Sequence, residues 1–375
     1  MAKSARDRLK VPYSPPATPG SHDVRLTAYL KIDIANAIRL GDLLEADLDV
    51  TTKGVGWWSA YTALDRKIRI LISDHLLGCA RAISTNILEA YAERLEFDDA
   101  IVDFQNYMER GVSERRVVTP RPRGPYDDMA TPRVTAHFCG VLRALASSLD
   151  VLGACVVGVA GLPTGIVKAD LTSARERLAK VGDTIPRLRK LQTDLEACED
   201  AAGPSGWMAW LLAMRNTDIH RARRVITWDI TRGAGGLVEG IYLKLPRSPE
   251  LTEIQACVYA GGTVGTHFEV RADAFLDRLA ATVYSYVNGA TGLLCDLWNE
   301  RRSNPSLIEQ PASQWKDPAL IVVPTPTFGG YPELTVPSST VSEIALPAEM
   351  FRRLTAAGIT ERGVSDLLPS PQVWN

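Results

Sequence analysis

The sequence predicts a mainly α-helical protein with a small inserted antiparallel β-sheet and a Pro-rich C-terminal tail. Three observations lead to this fold class. Apolar residues recur at three- and four-residue steps over most of the first 220 positions. After Arg224 the apolar period changes to two residues, which is the period of a strand. The predicted helix at 58–95 is as long as the helices of a bundle, and longer than those of an α/β domain.

Composition sets outer limits on the function. The chain has 375 residues, of which 46% are hydrophobic, so it can bury a sizeable core in one large domain or two average ones. The formal net charge is −2. A nucleic acid would therefore have to bind at a local basic patch and not to a basic protein as a whole.

The cysteines and the N-terminus predict a cytoplasmic protein. Six cysteines occur without a CxxC pair, which favours buried free thiols in a reducing compartment over zinc or disulfides. The basic, Pro-rich start lacks the apolar segment of a secretory signal. The apolar run at 151–162 is too short to span a bilayer, so no membrane partner is expected.

The N-terminal half contains the first predicted helices. Residues 1–21 carry four prolines and predict a disordered arm. An amphipathic helix is expected at 23–49, and glycines at 54 and 56 end it. The long helix at 58–95 follows, and then a shorter one at 98–109.

The middle of the chain contains a basic loop and three further helices. The loop at 110–132 is rich in Arg and Pro, and either tracks an RNA backbone or is a solvated surface loop. Helices are expected at 134–159 and at 168–202, the second bent at Pro186. A turn at 203–206 then precedes another helix.

Strand patterns interrupt the helical region before its last helix. Four strands are expected, at 225–230, 237–245, 254–259 and 267–270, followed by a helix at 272–302. We therefore divide the chain into an arm at 1–21, a helical domain at 22–302 with a β insertion at about 225–271, and a Pro-rich extension at 303–375. A short helix near 347–357 and an apolar tip lie in that extension.

One segment combines the groups that handle a phosphodiester. Its sequence is Arg215-Asn216-Thr217-Asp218-Ile219-His220. It follows the apolar stretch 207–214 and precedes a basic cluster formed by Arg221, Arg223 and Arg224. A guanidinium binds phosphate oxygens in a bidentate manner, an imidazole transfers protons, and the cluster supplies positive charge for RNA binding.

Helical geometry limits how these groups cooperate. Arg215 and His220 are five positions apart and diverge by about 140° on a straight helix. Asn216 and His220 share a face, so the amide can orient the imidazole. Arg223 and Arg224 lie on the same side and favour a neutral His220. Arg215 reaches the same point only if the helix bends or a second copy faces it.

Such a set of groups suffices for RNA cleavage without a metal. His220 would take the proton from the ribose 2′-hydroxyl, and Arg215 would stabilise charge on the phosphorane. The 2′-oxygen is an internal nucleophile, so no cofactor is expected. The alternative is structural, because histidine and arginine at a helix C-terminus also complement the negative end of the helix dipole.

The order Arg215-Asn216-x-x-x-His220, late in a helical region, resembles the HEPN superfamily, whose hallmark is an arginine and a histidine separated by four to six residues. The resemblance implies a helical bundle and a metal-independent endoribonuclease with two motifs in a shared cleft of a homodimer. It also implies Arg215 and His220 as catalytic residues and Asn216 as a supporting one. Family members commonly act as toxins or in antiphage defence, with an antitoxin or sensor as partner. The strand insertion and the length of the chain depart from a minimal HEPN domain.

A second class of function fits the same sequence. In this class the chain is a non-catalytic helical interaction or scaffold protein, whose Pro-rich tail docks a partner. Other candidate groups receive structural interpretations: His75 as a core residue, His137 as a helix-start residue without a partner, and the acidic cluster as a solvated face. That cluster consists of Asp98, Asp99 and Asp103.

Overall fold

The computed structural model describes residues 34–48, 66–113, 129–162, 165–220, 227–232, 238–246, 267–304 and 307. The chain divides into two compact units, 1–33 and 34–375, and every described residue belongs to the second. The elements in chain order are α1 (Ala35–Leu48), α2 (Arg66–Ser113), α3 (Ala130–Ala160), a 3₁₀ turn (Ile166–Lys168), α4 (Leu171–Gly182), α5 (Pro186–Ala202), α6 (Trp207–His220), β1 (Thr227–Arg232), β2 (Val238–Pro246), β3 (His267–Arg271) and α7 (Ala272–Ser303). The mainly helical fold class is confirmed.

The antiparallel pair α2–α3 forms the centre of the bundle. Polar side chains join the helices, Asp103 with Arg133, Glu93 with His137 and Glu89 with Arg143, so that residue numbers fall along α2 as they rise along α3. Small residues allow close packing along this seam. A Cβ at Gly158 would lie 2.7 Å from Leu76 Cδ1.

α3 is the core helix. By length and composition alone it could cross a membrane, but 78% of its most apolar window is buried inside the bundle. Burial of this kind is consistent with a soluble protein, because the core helix of a soluble bundle has the same composition. The cytoplasmic location remains a prediction.

α7 closes the bundle against the first described helix. Asn36, at the start of α1, donates two hydrogen bonds to Asn288 of α7. Its backbone NH donates to the side-chain Oδ1 and its Nδ2 donates to the backbone carbonyl, both at 3.1 Å. The fully buried Arg301 donates to the carbonyl of Val159 near the end of α3. These contacts hold residues far apart in sequence in one core.

Two predicted helix boundaries were wrong. The predicted break between 95 and 98 is absent, and α2 runs without interruption from Arg66 to Ser113. Phe97 is fully buried and Asp98 pairs with Arg94 one turn earlier, so both stabilise the helix at this point. The predicted bend at Pro186 is instead a separation of two helices, because proline occupies the first turn of α5.

The described strands form a three-stranded antiparallel sheet in the order β1–β2–β3. In β1 and β2, Thr227 lies opposite Lys244. Lys244 in turn lies opposite Arg271 of β3. The strand predicted at 254–259 lies outside the described residues, so the full extent of the predicted insertion remains a prediction. The same holds for the N-terminal arm, the basic residues 114–128 and the Pro-rich extension beyond 307.

Candidate functional site

α6, which carries the motif, begins at a sharp turn. Gly206 has φ +83°, a left-handed conformation that glycine adopts without steric strain. The first backbone hydrogen bonds follow at once, from Trp207 NH to the carbonyl of Pro204 at 3.2 Å and from Trp210 NH to that of Gly206 at 3.0 Å. The predicted turn at 203–206 therefore sets the start of the motif helix.

Aromatic contacts fix the rotation of α6 about its axis. Trp207 meets Tyr286 edge to face at 5.9 Å between ring centroids. Trp210 meets Phe275 in the same manner at 4.9 Å. Both partners lie on α7, and edge-to-face pairs of this kind are favourable beyond the area they bury. The direction in which Arg215 leaves the helix is thus determined by packing one and two turns earlier.

Arg215 forms an ion pair with a carboxylate of the core helix. Its Nη1 lies 2.9 Å from Asp150 Oδ2, and the two side chains are 22% and 26% exposed. Arg215 Nε is shielded from solvent and has no hydrogen-bond partner within the described part of the chain. The guanidinium is therefore held on one side and unsatisfied on another.

Asp150 is poorly stabilised as an anion. Burial raises the pKa of this carboxyl, and the nearby Asp170 raises it further, while Arg215 lowers it. The net pKa shift is upward, so desolvation outweighs the attraction of the arginine. Asp170 is fixed where it is because it caps α4, accepting a hydrogen bond from Ser173 NH at 2.7 Å.

The rest of the motif is only partly described. Asn216 is exposed. His220 is the last residue of α6, but its side chain lies outside the description, as do Arg221, Arg223 and Arg224. The predicted contact between Asn216 and His220, and the predicted basic RNA-binding cluster, therefore remain predictions.

α6 is helical at every position from Trp207 to His220. On a regular helix Arg215 and His220 diverge by about 140°. The way in which the two groups come together, through a bent helix or a second copy of the chain, therefore remains a prediction.

His137 has a partner, contrary to the sequence prediction. It lies within α3 and not at its start, and its Nδ1 is 2.8 Å from Glu93 Oε2. The carboxylate of Glu93 lies directly against Gly140, where an added Cβ would be 2.5 Å from Glu93 Cδ. Arg143 Nη2 lies 3.9 Å from Glu93 Oε1. The spacing of His137 and Gly140 places both on one face of α3, which the sequence shows. The sequence does not show that Glu93, from another helix, packs against that face.

The remaining titratable candidates have structural partners. Cys79 Sγ lies 3.5 Å from His75 Nε2, and burial raises the pKa of this thiol to about 11. Asp98 pairs with Arg94, and Asp103 pairs with Arg133. Among the described residues no three His, Cys, Asp or Glu side chains are grouped to hold a metal ion.

A shallow cavity of about 660 Å³ lies at the C-terminal end of α7, away from the motif. Glu300 in its wall is already engaged by Arg187, whose Nε and Nη2 donate to the carboxylate at 2.6 and 2.9 Å. The other lining residues are Asp296, Asn299, Ser303, Asn304 and Leu307. Besides Glu300, the wall of the cavity therefore provides the carboxylate of Asp296, two amides and one hydroxyl. No residue of the R-x4-H motif lines it.

Comparison with known proteins adds no family. No protein-family model matches the chain, and searches of curated proteins and of solved structures give no significant match.

Proposed function

We propose that the protein is a metal-independent endoribonuclease of HEPN type, with Arg215 and His220 as catalytic residues and Asn216 in support. The observation that carries the proposal is the state of Arg215. Its guanidinium is held in place by an anchored helix, remains partly exposed, and keeps an unsatisfied donor. An arginine with a spare donor is suited to bind a phosphodiester.

The reaction requires only groups of the chain and of the RNA. His220, as a neutral base, accepts the proton of a ribose 2′-hydroxyl, and the 2′-oxygen attacks the adjacent phosphorus. Arg215 stabilises the negative charge that develops on the phosphoryl oxygens. The bond from phosphorus to the 5′-oxygen breaks, and a second general acid, a protonated side chain or water, gives that oxygen its proton. The products carry a 2′,3′-cyclic phosphate and a 5′-hydroxyl.

A homodimer is part of the proposal because of the geometry of α6. A straight helix separates Arg215 from His220, so one active site would take the arginine of one copy and the histidine of another. Two-fold symmetry then creates two such sites in one cleft. In this proposal the basic cluster, Arg221, Arg223 and Arg224, binds the RNA backbone.

The proposed biological role comes from the resemblance to the HEPN superfamily. A ribonuclease of this kind acts as a toxin or as an effector of antiphage defence, and a sensor or antitoxin protein restrains it.

A non-catalytic helical scaffold is the second candidate, and two observations favour it. The ion pair between Arg215 and Asp150 is also what a purely structural arginine would make. In addition, Leu88 and Val102 are 42% and 50% exposed and lie two heptads apart on one face of α2, where a partner helix could pack. In this function the histidine and arginines at the end of α6 only complement its dipole.

Cleavage of RNA in EDTA separates the two candidates. The wild-type protein should cut a single-stranded RNA and leave cyclic-phosphate ends, whereas His220→Ala and Arg215→Ala should lose about 100-fold or more in rate. Arg177→Ala is the matched control, because Arg177 is an exposed arginine on α4 outside the motif. Equal rates for wild type and His220→Ala would eliminate the nuclease and leave the scaffold.

A further inference from the structure

The carboxylate of Asp150 pairs with Nη1 of Arg215, an N–H group that could also donate to a phosphate oxygen. Resting on the proposed function, we propose that Asp150 is a built-in competitor of the RNA phosphate. Its carboxylate pairs with Arg215 in the free protein and gives the guanidinium up to a phosphodiester when RNA binds.

Hydrogen-bond satisfaction favours this exchange. The carboxylate contacts Arg215 through Nη1 at 2.9 Å and leaves Nε, shielded from solvent, without an acceptor. A shielded donor without a partner is unfavourable, and a guanidinium forms its strongest contacts when two of its N–H groups donate together. A phosphodiester presents two non-bridging oxygens for such a bidentate contact. The bound state can therefore satisfy donors that the free state leaves unpaired.

The carboxylate is also a weak holder of the arginine. Burial raises the pKa of Asp150 despite the attraction of Arg215, and Asp170 at the start of α4 adds repulsion. An anion that its surroundings destabilise in this way is readily replaced by one that solvent or RNA delivers. The pair is therefore suited to exchange and not to permanent anchoring.

The surrounding structure permits exchange without movement of a helix. Arg215 and Asp150 remain 22% and 26% exposed, so an incoming phosphate can reach them. Trp207 and Trp210 fasten α6 to α7 independently of the ion pair. Rotation of the Arg215 side chain alone would then move its guanidinium from carboxylate to phosphate.

Binding of an uncleavable RNA analogue tests the proposal separately from cleavage. The probe is a fluorescent 2′-O-methyl oligoribonucleotide, measured by anisotropy at fixed ionic strength. Asp150→Asn should bind it about three- to tenfold more tightly than wild type, which is the range expected for release of one partly exposed ion pair. The gain should vanish in the double variant Asp150→Asn/Arg215→Gln, because it acts through the arginine.

Asp170→Asn is the matched control. It removes one negative charge near the same site, and asparagine retains the helix cap. Its affinity should stay within about twofold of wild type. An equal gain in Asp150→Asn and Asp170→Asn would mean that net charge and not exchange is responsible, and would overturn the proposal. A gain that survives loss of Arg215 would overturn it as well.

The remaining outcomes are also decisive. Circular dichroism checks folding, and Asp150→Ser serves as a second variant if Asp150→Asn does not fold. Unchanged or weaker probe binding by a folded Asp150 variant overturns the exchange. If unmodified RNA is never cut but the gain through Arg215 is seen, the nuclease fails and the exchange stands. If RNA is cut but no gain is seen, the exchange fails and the nuclease stands.

Discussion

Asp47 accepts a hydrogen bond from the indole Nε1 of Trp298 at 2.9 Å, and this contact joins the first described helix to the last. Both side chains are buried, and the second carboxylate oxygen of Asp47 accepts from Arg302. The carboxylate is therefore a buried polar link between α1 and α7. Its environment makes a stability test possible that does not depend on function.

Asp47→Ala should destabilise the protein by about 2 to 3 kcal/mol, because it leaves the Trp298 N–H buried without an acceptor. Chemical denaturation followed by circular dichroism measures the change. Asp42→Ala is the control, since Asp42 is exposed on the same helix. Its free energy of unfolding should change by less than about 0.5 kcal/mol. Similar losses in the two variants would contradict a special role for Asp47.

Gly153 tests how closely α3 approaches the start of α4. A Cβ at this position would overlap the backbone nitrogen of Leu171 and the backbone carbonyl carbon of Asp170. Because backbone atoms cannot move aside cheaply, Gly153→Ala should destabilise the fold by about 1 to 3 kcal/mol. Gly78→Ala on α2 meets nothing within 4 Å and should stabilise it by about 0.5 to 1 kcal/mol. Thermal unfolding distinguishes the two, and a shift of the same sign in both would contradict the close approach.

The helix α2 shows what periodicity predicts and what it does not. Apolar spacing predicted two helices, at 58–95 and 98–109, with a boundary between them that the structure lacks. Phe97 is buried there against Phe138 of α3, with ring centroids 6.2 Å apart. A contact with another helix thus decided the local structure, and such contacts are not visible in the spacing of one segment.

The candidate site was predictable only for residues adjacent in sequence. The motif from Arg215 to His220 and its place on a helix could be read directly, and both residues lie within the described helix α6. Asp150 could not be assigned as the partner of Arg215, because it lies on α3. The available signal was a lone carboxylate in an apolar helix, which usually needs a cationic partner.

Asp150 should make stability depend on pH. Burial raises its pKa above the value in the unfolded chain, so the folded protein binds this proton more tightly. The resulting stabilisation is present at acidic pH, below the unfolded pKa, and is lost as the pH rises through the raised pKa. The free energy of unfolding of wild type, relative to that of Asp150→Asn, should therefore decrease as the pH rises through the raised pKa. Urea denaturation at several pH values measures this difference. Asp183→Asn, at an exposed position, serves as the control. A pH-independent difference between wild type and Asp150→Asn would contradict the raised pKa.

Mixing two inactive variants tests whether each active site is shared between copies. Because Arg215 and His220 diverge on a regular helix, the proposed site takes Arg215 from one copy and His220 from the other. A mixed dimer of Arg215→Ala and His220→Ala then contains one intact site and one site without either group. Random exchange makes about half of the dimers mixed, so cleavage should return to about a quarter of the wild-type rate per chain.

The measurement is RNA cleavage in EDTA after the two variants are mixed, denatured and refolded together, with each variant refolded alone as the control. Neither variant alone should regain activity. If wild type cleaves RNA but the mixture does not, while chromatography shows that mixed dimers have formed, the two groups must act within one copy. The shared-site geometry would then be wrong even though the nuclease itself remains. Activity in the mixture at about a quarter of wild type is the outcome that the shared site requires.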